Sequence, residues 1–120
     1  MQFSERTFTM KQGDTPVMEF VLDKLATGGN WAPAPIAGAT IKFYMADQAG
    51  RIVINAGTVA IADAPTGLVQ FFFTAQHTAN VGTYLAEFLV TYVNTLIETF
   101  PAEGHLVIVV EPSIRPPVIP

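Results

Sequence analysis

The sequence contains no cysteine and few charged residues. Of its 120 residues, 13% are charged, against about 25% in ordinary soluble domains. The absence of cysteine excludes disulfides, thiol catalysis and thiolate metal sites. A surface so poor in charge is difficult to keep soluble as a monomer, so we expect other subunits to cover part of it.

Basic residues and long apolar runs are also scarce. Six Lys and Arg residues are scattered along a chain of net charge −4, so no basic stripe is available to bind nucleic acid. The first residues, MQFSERTF, carry Glu5 and Arg6 and lack the apolar core of a secretory signal. No apolar run reaches the roughly 18 residues of a membrane-spanning helix. We therefore expect no nucleic-acid partner, no membrane partner and no signal peptide.

Turn-forming clusters divide the sequence into segments of strand length. Val, Ile, Thr, Phe and Tyr are frequent in these segments and often alternate with polar residues, as in Met18–Leu22 and Ile41–Met45. Seven or eight such strands predict an all-β fold, an antiparallel immunoglobulin-like β-sandwich. We expect the sandwich over residues 1–111 and a proline-rich, extended tail over residues 112–120.

A tyrosine follows a glycine at the start of one late strand. In Gly82-Thr83-Tyr84, this position is where a tyrosine corner occurs in immunoglobulin-like sandwiches. A plain aromatic residue at the start of a strand explains the same pattern almost as well.

Three late segments are apolar on both faces of the predicted strand. Leu68–Phe73, Tyr84–Val93 and Leu106–Val110 leave few polar positions on either side. Strands of this kind need cover on both faces. The cover is either a second sheet or a neighbouring molecule, and both alternatives stay open here.

Residues that support nucleophilic catalysis or metal binding are few. His77 and His105 fall in or beside predicted turns, with no carboxylate or second histidine at ligand spacing, so we expect both to be solvated. The two serines, Ser4 and Ser113, lie near the two ends of the sequence, where a preorganised nucleophile is not expected.

The carboxylates have simple structural explanations. Glu87 and Glu98 are a conceivable catalytic pair, but outward polar positions on half-exposed strands explain them more simply. Asp14, Asp47 and Asp63 lie in turn clusters, where aspartates bond to nearby backbone N–H groups more often than they bind calcium. We therefore predict that the chain is not an enzyme and holds no cofactor and no metal.

Two segments fall outside the strand pattern and are candidate contact surfaces. The long loop Ala26–Ala37 contains the single tryptophan, which either anchors a partner or caps the end of the sandwich. The tail either docks on a neighbour, at low entropic cost because its prolines restrict the backbone, or stays disordered. The predicted partner-binding residues are Trp31, Ile114, Arg115, Pro116, Pro117, Val118 and Ile119.

Five short pieces of sequence occur in an order typical of one phage protein family. They are Lys11–Pro16, Gly38–Met45, Gly67–Phe71, Gly82–Phe88, and Glu98–Pro101 with Gly104. Together they resemble the immunoglobulin-like domain at the N-terminus of the phage baseplate upper protein (BppU) family and its stand-alone relatives in tailed phages. The resemblance covers the chain from Lys11 to Val110.

The resemblance implies a β-sandwich that serves as a structural or adaptor module of a virion, without catalysis. With the low charge and the doubly apolar strands, it predicts a bacteriophage virion protein of the tail or baseplate. Such a protein would bind other particle proteins in a homo-oligomeric or symmetric assembly formed in the host cytoplasm. The sequence departs from the larger family members by ending at Pro120 without their helical or fibre region, so we do not expect a baseplate hub, and a stand-alone tail, neck or capsid-surface component is compatible with it.

Two alternatives to the tail or baseplate function stay open. One is a decoration protein of the capsid surface. The other is a carbohydrate-binding module for host attachment, which would need a row of exposed aromatic side chains. The candidates for such a row are Trp31, Tyr44 and Tyr92.

Overall fold

The computed structural model describes residues 6–25 and 28–114, which are built almost entirely of strands. A single 3₁₀ helix, Ala64–Thr66, is the one helical element of these residues. None of the described residues forms a helix that is long and apolar enough to cross a membrane. The strands are β1 (Thr7–Lys11), β2 (Val17–Val21), β3 (Asp23–Leu25), β4 (Trp31–Pro33), β5 (Thr40–Asp47), β6 (Ile52–Thr58), β7 (Ala60–Asp63), β8 (Leu68–Phe72), β9 (Gly82–Thr91), β10 (Ile97–Phe100) and β11 (Leu106–Glu111).

The strands form two facing sheets and a small ribbon. The larger sheet has the order β1-β11-β9-β5-β6, and β10 pairs with β9 on the edge that β11 also uses. The smaller sheet has the order β2-β8-β7, and β3 pairs with β4 in a separate two-stranded ribbon. The predicted all-β sandwich is therefore confirmed.

Two details differ from the sequence prediction. Seven strands have five or more residues, as expected, but β3, β4, β7 and β10 add four shorter ones. In addition, β1 runs parallel to β11, with Thr7 opposite Val107, where an antiparallel sandwich was predicted. Residue alternation predicts which face a side chain occupies but carries no information on the direction of a neighbouring strand.

Phenylalanine rings from both sheets meet at the centre of the core. Phe20 of the smaller sheet lies edge-to-face against Phe88 of the larger sheet, with ring centroids 4.8 Å apart. Phe71 and Phe43 form a second contact between the sheets at 4.5 Å, and Phe43 is 5.1 Å from Phe88. All four side chains are buried. Each such pair contributes about 0.5–1.5 kcal/mol beyond the area that it buries.

The alternating residues of the sequence occupy the faces that the pattern predicts. Every second residue of β2, β5, β8 and β9 points into the core, and the residues between them point outward. The buried residues of these strands are Met18, Phe20, Ile41, Phe43, Met45, Val69, Phe71, Tyr84, Ala86, Phe88 and Val90.

Tyr84 forms a tyrosine corner. Its side chain is buried, and its Oη donates a 2.6 Å hydrogen bond to the carbonyl oxygen of Asn80, four residues upstream. Because a plain aromatic residue at the start of a strand would not make this hydrogen bond, the bond identifies Tyr84 as a tyrosine corner. Burial raises the pKa of Tyr84, and the negative charge of Asp47 raises it further.

Buried hydrogen bonds join the loops on either side of this corner. Thr78 is fully buried, and its Oγ1 donates to the carbonyl oxygen of Asp14 at 2.8 Å. The N–H of Gly13 donates in return to the carbonyl oxygen of Thr78 at 3.0 Å. Gly13 has a φ of 84°, in the left-handed region that favours glycine. These contacts close the end of the sandwich where β9 begins.

We predict that Tyr84→Phe lowers the free energy of unfolding by about 1 kcal/mol, because it removes the buried hydrogen bond and little else. Urea unfolding measures this as a lower midpoint with an unchanged slope. Tyr44→Phe is the matched control, since the Tyr44 hydroxyl makes no hydrogen bond within the described residues, and its stability should stay within about 0.5 kcal/mol. Equal losses of unfolding free energy in the two variants would contradict a stabilising contribution of the Tyr84 hydrogen bond.

Candidate functional site

Trp31 lies in a strand and is exposed. The sequence predicted a long loop from Ala26 to Ala37, but Trp31–Pro33 pairs with Asp23–Leu25, and Trp31 lies directly opposite Leu25. The indole is 43% exposed. This position fits the anchor interpretation of Trp31 and not that of a plug sealed into the core.

The other predicted contact residues lie at or beyond the C-terminal limit of the described chain. Ile114 is fully exposed. Arg115, Pro116, Pro117, Val118 and Ile119 lie outside the described residues, so their docking stays a prediction.

The pairing along β9 defines the two ends of the sandwich. Gly82, the first residue of β9, lies opposite Val110 near the end of β11, and we call this the exit end. At the other end of β9, Thr91 lies opposite Ile97, the first residue of β10. The turn between β9 and β10 lies there, and an ion pair of Lys24 ties the β3–β4 ribbon to it. We call this the ribbon end.

A half-buried polar cluster joins the ribbon to β10. Lys24 Nζ is 3.2 Å from Glu98 Oε1 and 5.3 Å from the centre of the Tyr92 ring. The same Glu98 oxygen accepts a 2.7 Å hydrogen bond from Tyr92 Oη. Burial raises the pKa of Tyr92 well above its ordinary value, and the hydrogen bond and the charge of Glu98 raise it further. The cluster therefore satisfies its own charges at this end of the sandwich.

The position of Glu98 corrects the sequence prediction. Glu98 lies opposite Val90, whose side chain is buried, so the carboxylate points toward the inside of the sandwich and not outward. Glu87 lies opposite Tyr44 on the outer face of the larger sheet. Because the two glutamates point to opposite faces of one sheet, they do not form a catalytic pair.

The turn between β9 and β10 has a defined conformation. The N–H of Thr95 donates to the carbonyl oxygen of Tyr92 at 2.8 Å, and the N–H of Leu96 donates to Asn94 Oδ1 at 3.2 Å. Thr95 has a φ of 70°, as expected for the last residue of a three-residue hairpin loop. The three-residue loop and the two residues that follow it expose three large apolar side chains, those of Val93, Leu96 and Ile97.

A groove of about 520 Å³ lies between the ribbon and this turn. Apolar side chains form much of its wall, and the polar cluster forms the rest. The lining residues are Lys24, Pro35, Tyr92, Val93, Asn94, Leu96, Ile97 and Glu98. We define the ribbon-end surface as this groove together with the exposed pair Leu25 and Trp31, whose side chains lie on the ribbon face opposite to that of Lys24. An exposed apolar surface on a rigid frame is typical of a protein-binding site.

Other apolar side chains lie on the outer faces of the two sheets. Val17 lies opposite Phe72 on the smaller sheet, and both are exposed. On the larger sheet, Val107, Leu85 and Ala46 lie side by side and are half-buried. The opposite sheet covers the inner face of these strands. That a neighbouring molecule covers their outer face stays a prediction.

The two histidines have different surroundings. His77 is half-buried, its Nδ1 accepts a hydrogen bond from the N–H of Thr74, and its ring stacks on Phe71 at 5.8 Å. Because the ring is half-buried against Phe71, the prediction of a solvated loop residue is wrong for this histidine, and burial lowers its pKa. His105 is exposed, as predicted, although its Nε2 is 4.0 Å from Glu87 Oε1, a neighbour that sequence spacing did not indicate.

The surface acids include a turn cap. Asp47 Oδ1 accepts hydrogen bonds from the N–H groups of Ala49 and Arg51, as predicted for an aspartate in a turn. These bonds, above all that from Arg51, hold the pKa of Asp47 below its usual range. In the part of the chain that the structure describes, no group of three or more His, Asp or Glu side chains is suited to hold a metal ion.

Comparisons with known proteins support the fold alone. No family model matches the chain, and no curated protein matches it. Among solved structures, it is similar to CopC from Methylosinus trichosporium OB3b, with 17% identity and a TM-score of 0.52 over 93% of this chain and 90% of that chain. CopC has a Greek-key β-sandwich, which agrees with the architecture described above. The resemblance to the phage baseplate family stays a prediction.

We predict that Glu98→Gln lowers the pKa of Tyr92 but leaves it above the usual value of about 10, because the charge is lost while the burial remains. Alkaline titration of tyrosinate absorbance measures this, and Tyr92→Phe identifies the signal. Since folding raises this pKa, the associated stabilisation is complete below pH of about 10 and is lost as the pH rises through the folded-state pKa. An unchanged Tyr92 titration in Glu98→Gln would contradict the geometry of the cluster.

Proposed function

We propose that the chain is a non-enzymatic structural subunit of a bacteriophage particle, part of the tail or baseplate, that binds other particle proteins through its ribbon-end surface. The observation that carries this proposal is the exposure of five large apolar side chains on the ribbon and on the β9–β10 hairpin. These side chains are Leu25, Trp31, Val93, Leu96 and Ile97.

The polar cluster beneath this surface supports a protein partner. Covering an unpaired charge with protein is unfavourable, because the charge loses its water. Lys24 and Glu98 already form an ion pair, and Glu98 also accepts the hydrogen bond of Tyr92. A partner that covers the ribbon end would therefore bury apolar side chains without leaving these charges unpaired.

The assignment to a phage particle depends on the sequence. The ordered motifs from Lys11 to Val110 resemble a baseplate family, and the low charge fits a subunit whose surface is largely covered. The β-sandwich fold is compatible with that family. The baseplate resemblance favours the tail over the capsid, and the location of the chain in particles distinguishes these two.

The geometry supports carbohydrate binding less well. A row of exposed aromatic rings would be needed, and Trp31 is exposed, but Tyr92 is half-buried in the groove wall and its hydroxyl is bonded to Glu98. Tyr44 lies opposite Glu87 in the sheet, and Glu87 is five residues before Tyr92 in the sequence. At the usual rise of a strand, Tyr44 and Tyr92 are therefore about 16 Å apart along the strand direction. The three rings therefore do not form one platform.

We predict that Ile97→Ser lowers the amount of the chain in purified particles about tenfold, which corresponds to a loss of about 1.4 kcal/mol at an energetically important interface residue. Ile52→Ser is the matched control. Ile97 is 64% exposed at the ribbon end, while Ile52 is 56% exposed on β6 near the exit end. Quantitative mass spectrometry of particles assembled with each variant measures the outcome, and equal urea midpoints confirm that both variants fold.

Two results would contradict the proposal. Absence of the wild-type chain from purified particles would overturn the particle assignment. Equal incorporation of the Ile97 and Ile52 variants would overturn the assignment of the ribbon end. Glycan-array binding that is lost in Trp31→Ala would favour the carbohydrate-binding alternative instead.

A further inference from the structure

The chain leaves the sandwich at the end opposite the ribbon-end surface. The last residue of β11, Glu111, lies opposite Lys11 and one residue beyond the pair formed by Val110 and Gly82. Tyr92 is ten residues from Gly82 along β9, so the level of the groove is about 36 Å from Glu111 at the usual rise of a strand. Ile114 is fully exposed and is therefore not packed on its own sandwich.

Residues 112–120 are too short to reach the groove of their own molecule. Four of these nine residues are proline, which favours an extended backbone. Nine residues in that conformation span about 28 Å, even if they run straight back along the molecule. This reach falls short of Tyr92, and Val93 and Leu96 lie in the turn beyond it.

The tail and the groove have matching chemistry. Residues 114–119 read Ile-Arg-Pro-Pro-Val-Ile, five apolar side chains and one arginine. The groove has apolar walls from Pro35, Val93, Leu96 and Ile97 and an aromatic ring from Tyr92, and its charged lining residues, Lys24 and Glu98, are paired with each other. Proline-rich segments bind in grooves with aromatic and apolar walls, because their restricted backbone loses little entropy on binding. The groove volume of about 520 Å³ lies within the range of about 300–1,000 Å³ of ordinary ligand pockets.

We propose that the segment 114–119 of one copy docks in the ribbon-end groove of the next copy, so that copies associate head to tail. This inference rests on the proposed function, since it names a second copy of the chain as a partner of the same surface. The two contacting surfaces are different parts of the molecule. Such a heterologous contact forms a ring if its rotation closes and a filament if it does not.

Sedimentation velocity over a concentration series tests the proposal. The wild-type chain should form oligomers that grow with concentration, and Ile52→Ser should behave in the same way. A chain that ends at Ser113 keeps the groove and loses the tail, whereas Ile97→Ser keeps the tail and damages the groove. Each of these two should sediment as a monomer with an unchanged urea midpoint.

Mixing the two defective chains provides the sharper result. The intact groove of the truncated chain should accept the intact tail of Ile97→Ser, which gives a one-to-one dimer that cannot grow further. Association of the truncated chain at the wild-type level would overturn the proposal, as would a mixture that remains monomeric. A wild-type chain that stays monomeric at every concentration would overturn it as well.

The outcomes separate this inference from the proposed function. If the wild-type chain is monomeric while Ile97→Ser still lowers particle incorporation, the head-to-tail contact is wrong and the proposed function stands. If the chain associates through its tail but is absent from particles, the proposed function is wrong and the contact stands.

Discussion

The contact between the phenylalanines of the two sheets is the interaction on which the rest of the structure depends. The chain has no disulfide, and the ion pairs of the described residues lie at or near the surface, where each contributes about 0–1 kcal/mol. The stability of the sandwich must therefore come from burial. Phe20 against Phe88 and Phe71 against Phe43 hold the sheets face to face, and the other core side chains pack around these rings.

The two ends of the sandwich are closed by different interactions. At the exit end, Tyr84 and Thr78 close the structure with buried hydrogen bonds to neighbouring loops. At the ribbon end, the inner face continues past the phenylalanines as Tyr92 and Glu98, and a lysine from the ribbon completes the polar cluster. The satisfied cluster leaves apolar side chains as the outermost groups there. This combination of a packed core, an internally satisfied polar cluster and exposed apolar side chains is the reason for proposing the ribbon end as the protein-binding surface.

Much of the fold could be predicted from residue alternation, but the candidate site could not. The faces of β2, β5 and β9 follow from period-two patterning. The place of Tyr84 after Gly82 indicated the corner only as one of two alternatives, which the hydrogen bond to Asn80 decides. The inward direction of Glu98 was missed because the hairpin turn sets the register of β10, and a shift of one residue exchanges the two faces of a strand. The contact of His105 with Glu87 was missed because it joins residues that are distant in sequence.

The ribbon was missed for another reason. The stretch that contains Trp31 is rich in Gly, Pro and Ala, a composition typical of loops, and its strand exists through pairing with Asp23–Leu25. The parallel pairing of β1 with β11 likewise depends on how distant parts of the chain meet. Local patterns therefore predicted the core, while the exposed surface to which we assign the proposed function depends on tertiary pairing.

The central claim is that another protein covers the ribbon end in the assembled state, while cover of the outer face of the smaller sheet stays a separate prediction. Hydroxyl-radical footprinting tests this most directly, because each surface carries one exposed aromatic side chain, Trp31 at 43% and Phe72 at 55% exposure. Comparing the assembled particle with the dispersed chain, we expect strong protection of Trp31, and the response of Phe72 reports separately whether the outer face of the smaller sheet is also covered. Protection of Phe72 with an unchanged Trp31 would contradict the account.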